Sequence, residues 1–556
     1  MASSTPIIGT LISKGYIQFT IVDVDGNILA SFCGSAAAGH CMPYDTVSYD
    51  GSRCTLVAPR YTPLRIAGTL VLNSKTRYGQ TSRGVPLYLF QPEQPAYPMF
   101  IVGSSAKDTS LNQRILMEYD NWAPGPTALP QGHIVQIYGP AGSYVAEEAV
   151  ARAVAMPPLP KVKEPIPIVF SPTLPPEITP LPPSCIVVNI DPPGCTDIDD
   201  LLAFERVASN EVRVYILIAA AATYITSDSP TAATAALRAS TLYTPDGTPL
   251  QHMLPPALAT ETASLKADGT PRPALAWSFT YNLNTSKIFK THGFQLYTVA
   301  NGATYSYDTI EADAPADLIH YLKTATRALK GNDADTHSWV EAAMIAYNAA
   351  LALELHAAGL GLIRRHRPAD EKRAEAYARL GGPALAFHAY EAAGYMSAAG
   401  AGTSASANTY TAHAGLQLKL YTHGTSPLRR YADLYNQWCL LHILYPHTYS
   451  VPAQPFDSAF VNKRGSALKT YARILHFLDC LEQASGDKIL EGTIIEVQPS
   501  KEKVKLWVDK WQMVISWKRP PTELLKEHTA GLVVKVRYYL NKNAPHMKER
   551  FVLEVV

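Results

Sequence analysis

The feature that most restricts the fold of this chain is the run of prolines at residues 156–183, MPPLPKVKEPIPIVFSPTLPPEITPLPP. Proline fixes φ and lacks a backbone N–H, so residues 156–184 are predicted to form an extended connector rather than a helix or a central strand. A chain of 556 residues is also too long for a single hydrophobic core. At roughly 100–200 residues per domain, this length predicts about three to five domains.

The composition is that of a folded protein, with 47% hydrophobic and 17% charged residues. The longest apolar run, residues 214–225, is too short to span a membrane and predicts a buried strand. The first residues lack the basic and apolar regions of a secretory signal, so we expect a cytoplasmic or nuclear protein that is not secreted. The seven cysteines follow neither a disulfide pattern nor zinc-site spacing.

The net charge of +1 does not indicate a nucleic-acid-binding protein by itself, because it says nothing about how charge is distributed over the surface. Any basic groove must therefore be local. The candidates are residues 501–510 and the sequence RRHRP around Arg364. For each of them, an ordinary solvated surface is the commoner alternative.

Residues 1–155 contain short β-type runs separated by glycine, proline, asparagine and aspartate. Strands at this spacing are typical of small barrels. We predict one barrel at residues 1–88 and a second at 89–155, with the boundary between them somewhere within 80–96.

The centre of the chain, residues 185–486, alternates strand and helix patterns and predicts a mixed α/β domain. Residues 487–556 return to β-type runs and predict a third, short barrel. The fold class is therefore α+β multidomain. The clearest helix is 338–358, in which apolar residues recur at helical spacing at Val340, Met344, Tyr347, Leu351 and Leu355.

The most informative segment is residues 185–205, CIVVNIDPPGCTDIDDLLAFE. An apolar strand leads to Asp191, and a Pro-Pro-Gly turn returns the chain to Asp197, Asp199 and Asp200. Four carboxylates at one turn repel each other unless a cation neutralises them. Carboxylate oxygens favour Mg²⁺, or Mn²⁺ in its place, over zinc or copper.

Such an ion can activate water and stabilise the leaving oxygen in phosphodiester hydrolysis. If this stretch is extended, Asp197 and Asp199 project to the same side and Ile198 packs inward. A calcium loop is disfavoured, since its glycine and glutamate positions hold Thr196 and Leu202. A solvated acidic turn is the other alternative, and the apolar sequences on both sides argue against it.

A second cluster of candidate residues lies in residues 421–438, YTHGTSPLRRYADLYNQW. The TSP sequence at residues 425–427 predicts a helix start, with a hydroxyl cap before a proline in the first turn. Arg429 and Arg430 would then lie near a helix N-terminus and favour phosphate. The alternative is an arginine pair that binds no ligand.

Two polar residues lie seven apart on the predicted 338–358 helix, Glu341 and Asn348. This spacing places them on one face, from which both could point into a site. The alternative for each is an ordinary polar surface residue.

The spacing of the four aspartates and the sequence TSPLRRYADL at residues 425–434 resemble the RNB family, the ribonuclease II and exosome-type 3′→5′ exoribonucleases. Residues 238–245, RASTLYTP, followed by MLP at 253–255, add to this resemblance. The resemblance covers nearly the whole chain. It implies that the two N-terminal barrels are cold-shock-like and that the C-terminal one is an RNA-binding OB barrel.

The resemblance implies a Mg²⁺-dependent 3′→5′ exoribonuclease that hydrolyses single-stranded RNA to 5′-nucleoside monophosphates. Single-stranded RNA would be the partner, with no membrane involved and no protein partner identified. The implied metal ligands are Asp191, Asp197, Asp199 and Asp200. The implied catalytic residues are Asp199 and Arg429. The implied RNA contacts, with the tyrosines stacking on bases, are Tyr243, Tyr307, Glu341, Arg429 and Arg430.

The chain also departs from the family pattern. Where the family usually has HIADV, residues 217–221 are LIAAA, and where it usually has His-Arg, this chain has Gln437 and Trp438. The chain is therefore interpreted as a divergent member. The alternative is a catalytically silent RNA-binding or assembly protein on an RNB scaffold, against which the four retained aspartates argue.

Overall fold

The computed structural model of the chain describes residues 6–23, 28–57, 63–122, 128–156, 169–244, 247–332, 335–400, 412–452, 456–483, 488–526, 529–542 and 544–556. The chain divides into two compact units. The barrel unit comprises residues 1–162, 369–390 and 466–556, and the central unit comprises residues 163–368 and 391–465. The central unit is therefore shorter at its C-terminal end than the predicted 185–486 domain, and it lacks residues 369–390.

The barrel unit begins with a five-stranded antiparallel sheet. In spatial order, its strands are Ile28–Cys33, Gln18–Val22, Ile7–Lys14, Thr46–Tyr49 and Cys54–Leu56. Alternate residues point inward, as a half-buried sheet requires. Leu11, Phe19, Ile21 and Val47 form its core.

A closed five-stranded barrel follows in the chain. Its strands, in spatial order, are Gln131–Pro140, Phe100–Gly103, Leu87–Pro92, Arg65–Val71 and Gln113–Asn121. Phe90, Phe100, Ile115 and Met117 fill it, and the helix Tyr144–Ala155 comes directly after it in the chain.

The position predicted for the boundary between the first two barrels has to be corrected. Residue 88 lies inside the strand Leu87–Pro92, which pairs with Arg65–Val71 of the same barrel. The turn-forming residues near position 84 thus belong to a hairpin loop within one barrel. The boundary falls before Arg65.

The C-terminal part of the barrel unit is another five-stranded sheet. In spatial order, its strands are Met513–Lys518, Lys503–Val508, Ile489–Gln498, Val533–Leu540 and Phe551–Val555. Its core contains Trp511, Trp517 and Val536. The unit also contains the helices Glu371–Phe387 and Met547–Arg550.

The central unit is built on a seven-stranded mixed sheet. In spatial order, its strands are Thr179–Pro180, Lys287–Val299, Arg272–Asn282, Glu211–Ala219, Asp200–Ala208, Ile186–Ile190 and Ala303–Tyr305. The predicted buried strand at 214–225 is confirmed as Glu211–Ala219, after which the chain enters the 3₁₀ turn Ala221–Thr223. Among the described residues of the proline-rich segment, the only strand is the two-residue edge strand Thr179–Pro180. This agrees with the exclusion of proline from central strands.

Helices and two short hairpins complete the central unit. The helices are Pro230–Arg238, Ile310–Asp313, Ala316–Lys330, Thr336–Ala358 and Tyr431–Leu444, with Ser458–Gln483 following them in the chain. The hairpins pair Leu242–Tyr243 with Pro249–Gln251 and Leu362–Arg365 with Gly394–Ser397.

The predicted helix at 338–358 is confirmed as Thr336–Ala358. Its apolar side buries Tyr347, Leu351 and Leu355, because residues three and four apart share a helix face. The predicted class, a mixed α/β domain with small β-barrels before and after it in the chain, is confirmed. Within the described parts of the chain, no helix has both the length and the hydrophobicity that crossing a membrane requires.

Candidate active site

The four aspartates lie where two neighbouring strands of the central sheet are connected. The strand Ile186–Ile190 ends directly before Asp191, and Asp200 begins the next strand of the sheet. The turn between them is closed by the amide of Cys195, which donates to the carbonyl of Pro192 at 3.2 Å. Asp191 is held by its own amide, which donates to the carbonyl of Tyr305 at 3.1 Å.

The side chains of this turn differ from the predicted alternation. Ile198 is buried as expected, but Asp199 is buried as well, with 3% of its surface exposed, while Asp197 is half-buried. The amide of Ile198 donates to Ser264 Oγ at 3.0 Å, which turns this stretch away from a regular extended strand. The two carboxylates therefore lie in different environments.

Asp199 is held by the arginine segment. Its Oδ1 accepts from the amide of Leu428 at 3.0 Å, and its Oδ2 accepts from Arg429 Nε at 2.9 Å. The Arg429 side chain keeps 43% of its surface exposed although its partner is buried. The structure thus brings together the two residues to which the resemblance gives catalytic roles.

The other aspartates have neutral partners. Asp197 Oδ2 accepts from the hydroxyl of Tyr243 at 2.5 Å, and Asp191 Oδ2 accepts from Asn189 Nδ2 at 2.9 Å. Asn189 in turn accepts from Asn301 Nδ2 and from the hydroxyl of Thr304, at 2.7 Å each. Tyr243 therefore contacts the carboxylate turn through its hydroxyl, and its stacking on a base stays a prediction.

Burial makes the charged forms of these carboxylates unfavourable. It raises the pKa of Asp199 to about 7, although Arg429 and the amide of Leu428 act in the opposite direction. Burial also raises the pKa of Asp191 and, far more, that of Asp200, and the two carboxylates affect each other's ionisation. The protein thus concentrates negative charge that Arg429 only partly offsets.

A divalent cation fits this donor set by its chemistry. Hard carboxylate oxygens suit Mg²⁺, and a cation would offset both the burial that chiefly raises these pKa values and the smaller effect of repulsion between the carboxylates. In the part of the chain that the structure describes, however, no three acidic, histidine or cysteine side chains are already arranged around one metal position. Protein donors occupy part of the carboxylate oxygens instead: Arg429 with the amide of Leu428, Tyr243 and Asn189.

The helix start predicted at residues 425–427 is wrong. The helix begins at Tyr431, Arg430 precedes it, and no side-chain hydroxyl caps it. Residues 426–430 form a turn instead, in which the carbonyl of Ser426 accepts from the amides of Arg429 at 3.3 Å and Arg430 at 2.9 Å. This turn places the amide of Leu428 and the Arg429 side chain on Asp199.

The two adjacent arginines have different partners. Arg430 Nη2 donates to Asp433 Oδ1 at 2.7 Å, and Asp433 is completely buried. Arg430 is therefore engaged inside the protein, whereas Arg429 faces the carboxylate turn.

Tyr307 lies close enough to the turn that Asp200 and Asp191 add to the effect of burial and raise its pKa. Its ring stacks on His337, with centroids 4.2 Å apart and planes 15° apart. Tyr307 therefore lies near the aspartates, and its stacking on a base stays a prediction.

Glu341 is exposed on the helix Thr336–Ala358 and pairs with Lys330 Nζ at 2.5 Å. Among the described residues, no contact joins it to the aspartates. Asn348 is buried and supports the loop before the arginines, donating to the Tyr421 hydroxyl at 3.1 Å and accepting from the amide of Gly424 at 2.8 Å. The predicted shared face of Glu341 and Asn348 therefore does not form one site.

Sequence reasoning missed the part played by Gln437. Its Nε2 donates to the carbonyl of Ala219 at 2.8 Å and its Oε1 accepts from the amide of Ala222 at 3.3 Å. Gln437 thus holds the LIAAA segment, which begins with the last three residues of the strand Glu211–Ala219, where Ile218 pairs with Asp200. The sequence contains a signal for this contact, because Gln437 and the LIAAA segment are both departures from the family pattern and they contact each other.

Comparisons with known proteins show what this chain is similar to. The family model "RNB domain" matches residues 183–315 and 317–446. The exosome complex exonuclease RRP44 of Homo sapiens is 26% identical over 280 residues, which is 48% of this chain and 28% of that protein. The probable RRP44 of Caenorhabditis elegans is 25% identical over 237 residues, 41% of this chain and 24% of that protein. The matched part is thus about a quarter of these relatives' length.

Solved structures share the fold over nearly the whole chain. The apo form of Mycoplasma genitalium RNase R has a TM-score of 0.72 at 14% identity, covering 99% of this chain and 100% of that one. Yeast Ssd1, described as a pseudonuclease, has a TM-score of 0.65 at 15% identity, covering 96% of this chain and 80% of that one. The fold class, a central RNB domain with OB-type barrels, is shown by these likenesses. The family match covers the aspartate turn and the arginine segment, so this chain is similar to the RNB family over residues 183–315 and 317–446.

Proposed function

We propose that this chain is a Mg²⁺-dependent 3′→5′ exoribonuclease that hydrolyses single-stranded RNA to 5′-nucleoside monophosphates. The observation that carries the proposal is the buried carboxylate of Asp199, whose pKa is raised to about 7 and which two donors of the arginine turn hold in place. Groups with pKa values shifted by burial and specific partners cluster at functional sites. The names of the RRP44 relatives, which are exonucleases, support the same reaction.

The four carboxylates of Asp191, Asp197, Asp199 and Asp200 would hold the cation, with Mn²⁺ as a substitute for Mg²⁺. When bound, such an ion supplies an activated water and charge neutralisation for phosphodiester hydrolysis. The protein's own contribution is to concentrate these acids at one turn, where the burial of Asp199 and the partial burial of the other three limit the screening of their charge by bulk water.

Arg429 has the geometry to contact the scissile phosphate. Of its three guanidinium nitrogens, only Nε is hydrogen-bonded among the described residues, so the two terminal nitrogens remain free to donate. A guanidinium presents planar, paired donors that match phosphate oxygens. Arg429 would therefore stabilise the negative charge that develops on the phosphate during hydrolysis.

Tyr243 and Tyr307 would grip the 3′ end. Both rings are half-buried beside the aspartates, so each leaves part of its surface for a base. Stacking on aromatic rings holds single strands with little dependence on sequence. Glu341 would reach the last nucleotides only by leaving its exposed pair with Lys330, which costs little in solvent.

The test is an assay on single-stranded RNA labelled at its 3′ or 5′ end, with Mg²⁺ and with EDTA. Hydrolysis from the 3′ end releases a 3′ label at once as a mononucleotide, whereas a 5′ label persists on progressively shorter RNA. EDTA should stop both the release of the 3′ label and the shortening of the 5′-labelled RNA. Cleavage that persists in EDTA, or early release of the 5′ label, would contradict the proposal.

A non-catalytic RNA-binding or assembly protein is the second candidate. It is favoured by the likeness to yeast Ssd1 and by the lack, among the described residues, of a preformed group of three metal ligands. This candidate predicts RNA that is bound yet stays intact with either Mg²⁺ or Mn²⁺. An RNase R structure contains ribose-methylated single-stranded RNA, and the same modified RNA would serve as the binding probe here.

A further inference from the structure

We propose that Arg430 and Asp433 form a buried brace that positions Arg429 and Tyr243, and that Arg430 does not itself contact RNA. This role replaces the RNA contact that the resemblance implied for Arg430, and it rests on the proposed function of the site. Asp433 has no exposed surface, and its Oδ1 accepts from both Arg430 Nη2 at 2.7 Å and the amide of Ser426 at 2.8 Å.

The first step of the argument is that the brace closes the arginine turn. Asp433 holds the amide of Ser426, and the carbonyl of Ser426 accepts from the amides of Arg429 and Arg430. Leu428, which lies between Ser426 and Arg429 in the chain, donates its amide to Asp199. The position of Asp433 therefore determines how the turn presents the Leu428 amide and Arg429 Nε to the carboxylate of Asp199.

The second step is that the turn also holds the segment that carries Tyr243. The carbonyl of Arg429 accepts from the amide of Thr241 at 2.9 Å and from Ser240 Oγ at 2.8 Å. The amide of Tyr431 donates to the carbonyl of Ala239 at 2.9 Å. A shift of the turn would thus move both the Arg429 guanidinium and the nearby hydroxyl of Tyr243.

The third step concerns charge. The second oxygen of Asp433 has no hydrogen-bond partner, and Arg430 is its only cationic neighbour at ion-pair distance, among the residues that the structure describes. A buried carboxylate that loses its cation is strongly destabilised. Arg430 therefore cannot leave Asp433 for an RNA phosphate without a large cost, and its side chain is less exposed, at 28%, than that of Arg429, at 43%.

The experiment compares Asp433→Asn, Arg430→Met and the double variant with the parent, by single-turnover cleavage and RNA affinity. Because a misplaced catalytic group costs rate, each single variant should cleave roughly 10–100-fold more slowly. RNA affinity should change less than about 3-fold, and the double variant should be little worse than either single one, since coupled residues are not additive. Arg430→Lys, which keeps the charge, should lose less rate than Arg430→Met.

A direct RNA contact gives a different pattern. Arg430→Met would then weaken RNA binding while Asp433→Asn leaves both affinity and rate near the parent's, and this result would overturn the brace.

Hydrogen exchange of the Leu428 amide supplies a readout that does not need turnover. The brace predicts slow exchange in the parent and faster exchange in Asp433→Asn, whose thermal melting confirms that it folds. Unchanged exchange in a folded Asp433→Asn protein would overturn the brace as well. If the parent fails to cleave RNA with Mg²⁺, the proposed function fails, and the exchange result still decides the brace.

Discussion

Two buried ionic clusters, one in each unit, differ in how their charges balance. The balanced cluster of the barrel unit contains Glu93, Glu147, Arg114 and Arg550. Arg114 Nη2 lies 2.7 Å from Glu93 and its Nε lies 3.2 Å from Glu147, which Arg550 also contacts. The carboxylate turn of the central unit instead has four aspartates, of which only Asp199 pairs directly with an arginine among the described residues.

The pKa values show the consequence of this difference. Burial acts to raise the pKa of Glu93, but Arg114 and its hydrogen bond overcome that effect and lower it. Burial of Asp199 raises its pKa in spite of Arg429. The charges of the balanced cluster neutralise each other within the protein, whereas the excess of acids at the carboxylate turn is where the proposed cation would act.

Asp199→Asn is the most severe test of the carboxylate turn as a catalytic cluster. It removes the charge of a proposed metal ligand but leaves the proposed stacking residues, so cleavage should fall by at least about 10⁴-fold. RNA affinity should stay equal or become tighter, because a negative charge is lost near the phosphates. Single-turnover cleavage and RNA titration measure the two effects, and cleavage within about tenfold of the parent would show that the turn is not the catalytic centre.

Glu147→Gln tests the balanced cluster. The substitution removes the carboxylate that Arg550 contacts and leaves Glu93 as the cluster's single carboxylate for two arginines, which should lower the free energy of unfolding by about 3–5 kcal/mol. Thermal or urea unfolding measures this loss, and cleavage per folded molecule should not change. The matched control is Glu118→Gln on the same barrel, whose more exposed pair with Arg65 at 2.9 Å should contribute about 1 kcal/mol or less. Equal losses for both variants would mean that the cluster has no special role in stability.

The two clusters also differ in how far the sequence predicts them. The aspartates and arginines of the central unit lie in short motifs, so their residue types and spacing indicate the site directly. The balanced cluster joins residues from positions 93 to 550, and no local pattern connects them. Long-range pairs of this kind depend on strand register and on packing, which the sequence does not display.

The errors in the site have a similar origin. The helix start was placed at residues 425–427 because a hydroxyl before proline is a common cap. In the structure, the buried carboxylate of Asp433 takes the amide of Ser426, so the chain turns before the helix begins at Tyr431. The exposed position of Glu341 likewise follows from the rotation of its helix, where Trp339 and Val340 are buried instead.

Arg429→Lys tests whether the single arginine at the carboxylate turn acts on the phosphate. Lysine keeps the charge but loses the planar donors, so cleavage should fall by roughly 10²–10³-fold while RNA affinity changes little. Arg430→Lys serves as the matched variant and should be milder. If Arg429→Lys cleaves like the parent, or if Arg430→Lys loses more rate, the phosphate contact is not made by Arg429.

Tyr243 offers the smallest effect and the finest test of the carboxylate turn, because its ring and its hydroxyl can be separated. Tyr243→Ala removes both and should weaken the binding of short RNA by roughly 1–3 kcal/mol, the usual range for a stacked base. Tyr243→Phe keeps the ring but loses the 2.5 Å hydrogen bond to Asp197, so it should bind RNA almost like the parent. Its cleavage rate should still fall, since Asp197 then keeps only the weaker Cys195 thiol as a donor, at 3.8 Å, at the proposed metal-binding turn. Equilibrium titration with short 3′-ended oligomers, paired with single-turnover rates, measures both. If Tyr243→Ala binds as tightly as the parent, the ring is a packing residue, and the hold on the 3′ end must come from Tyr307.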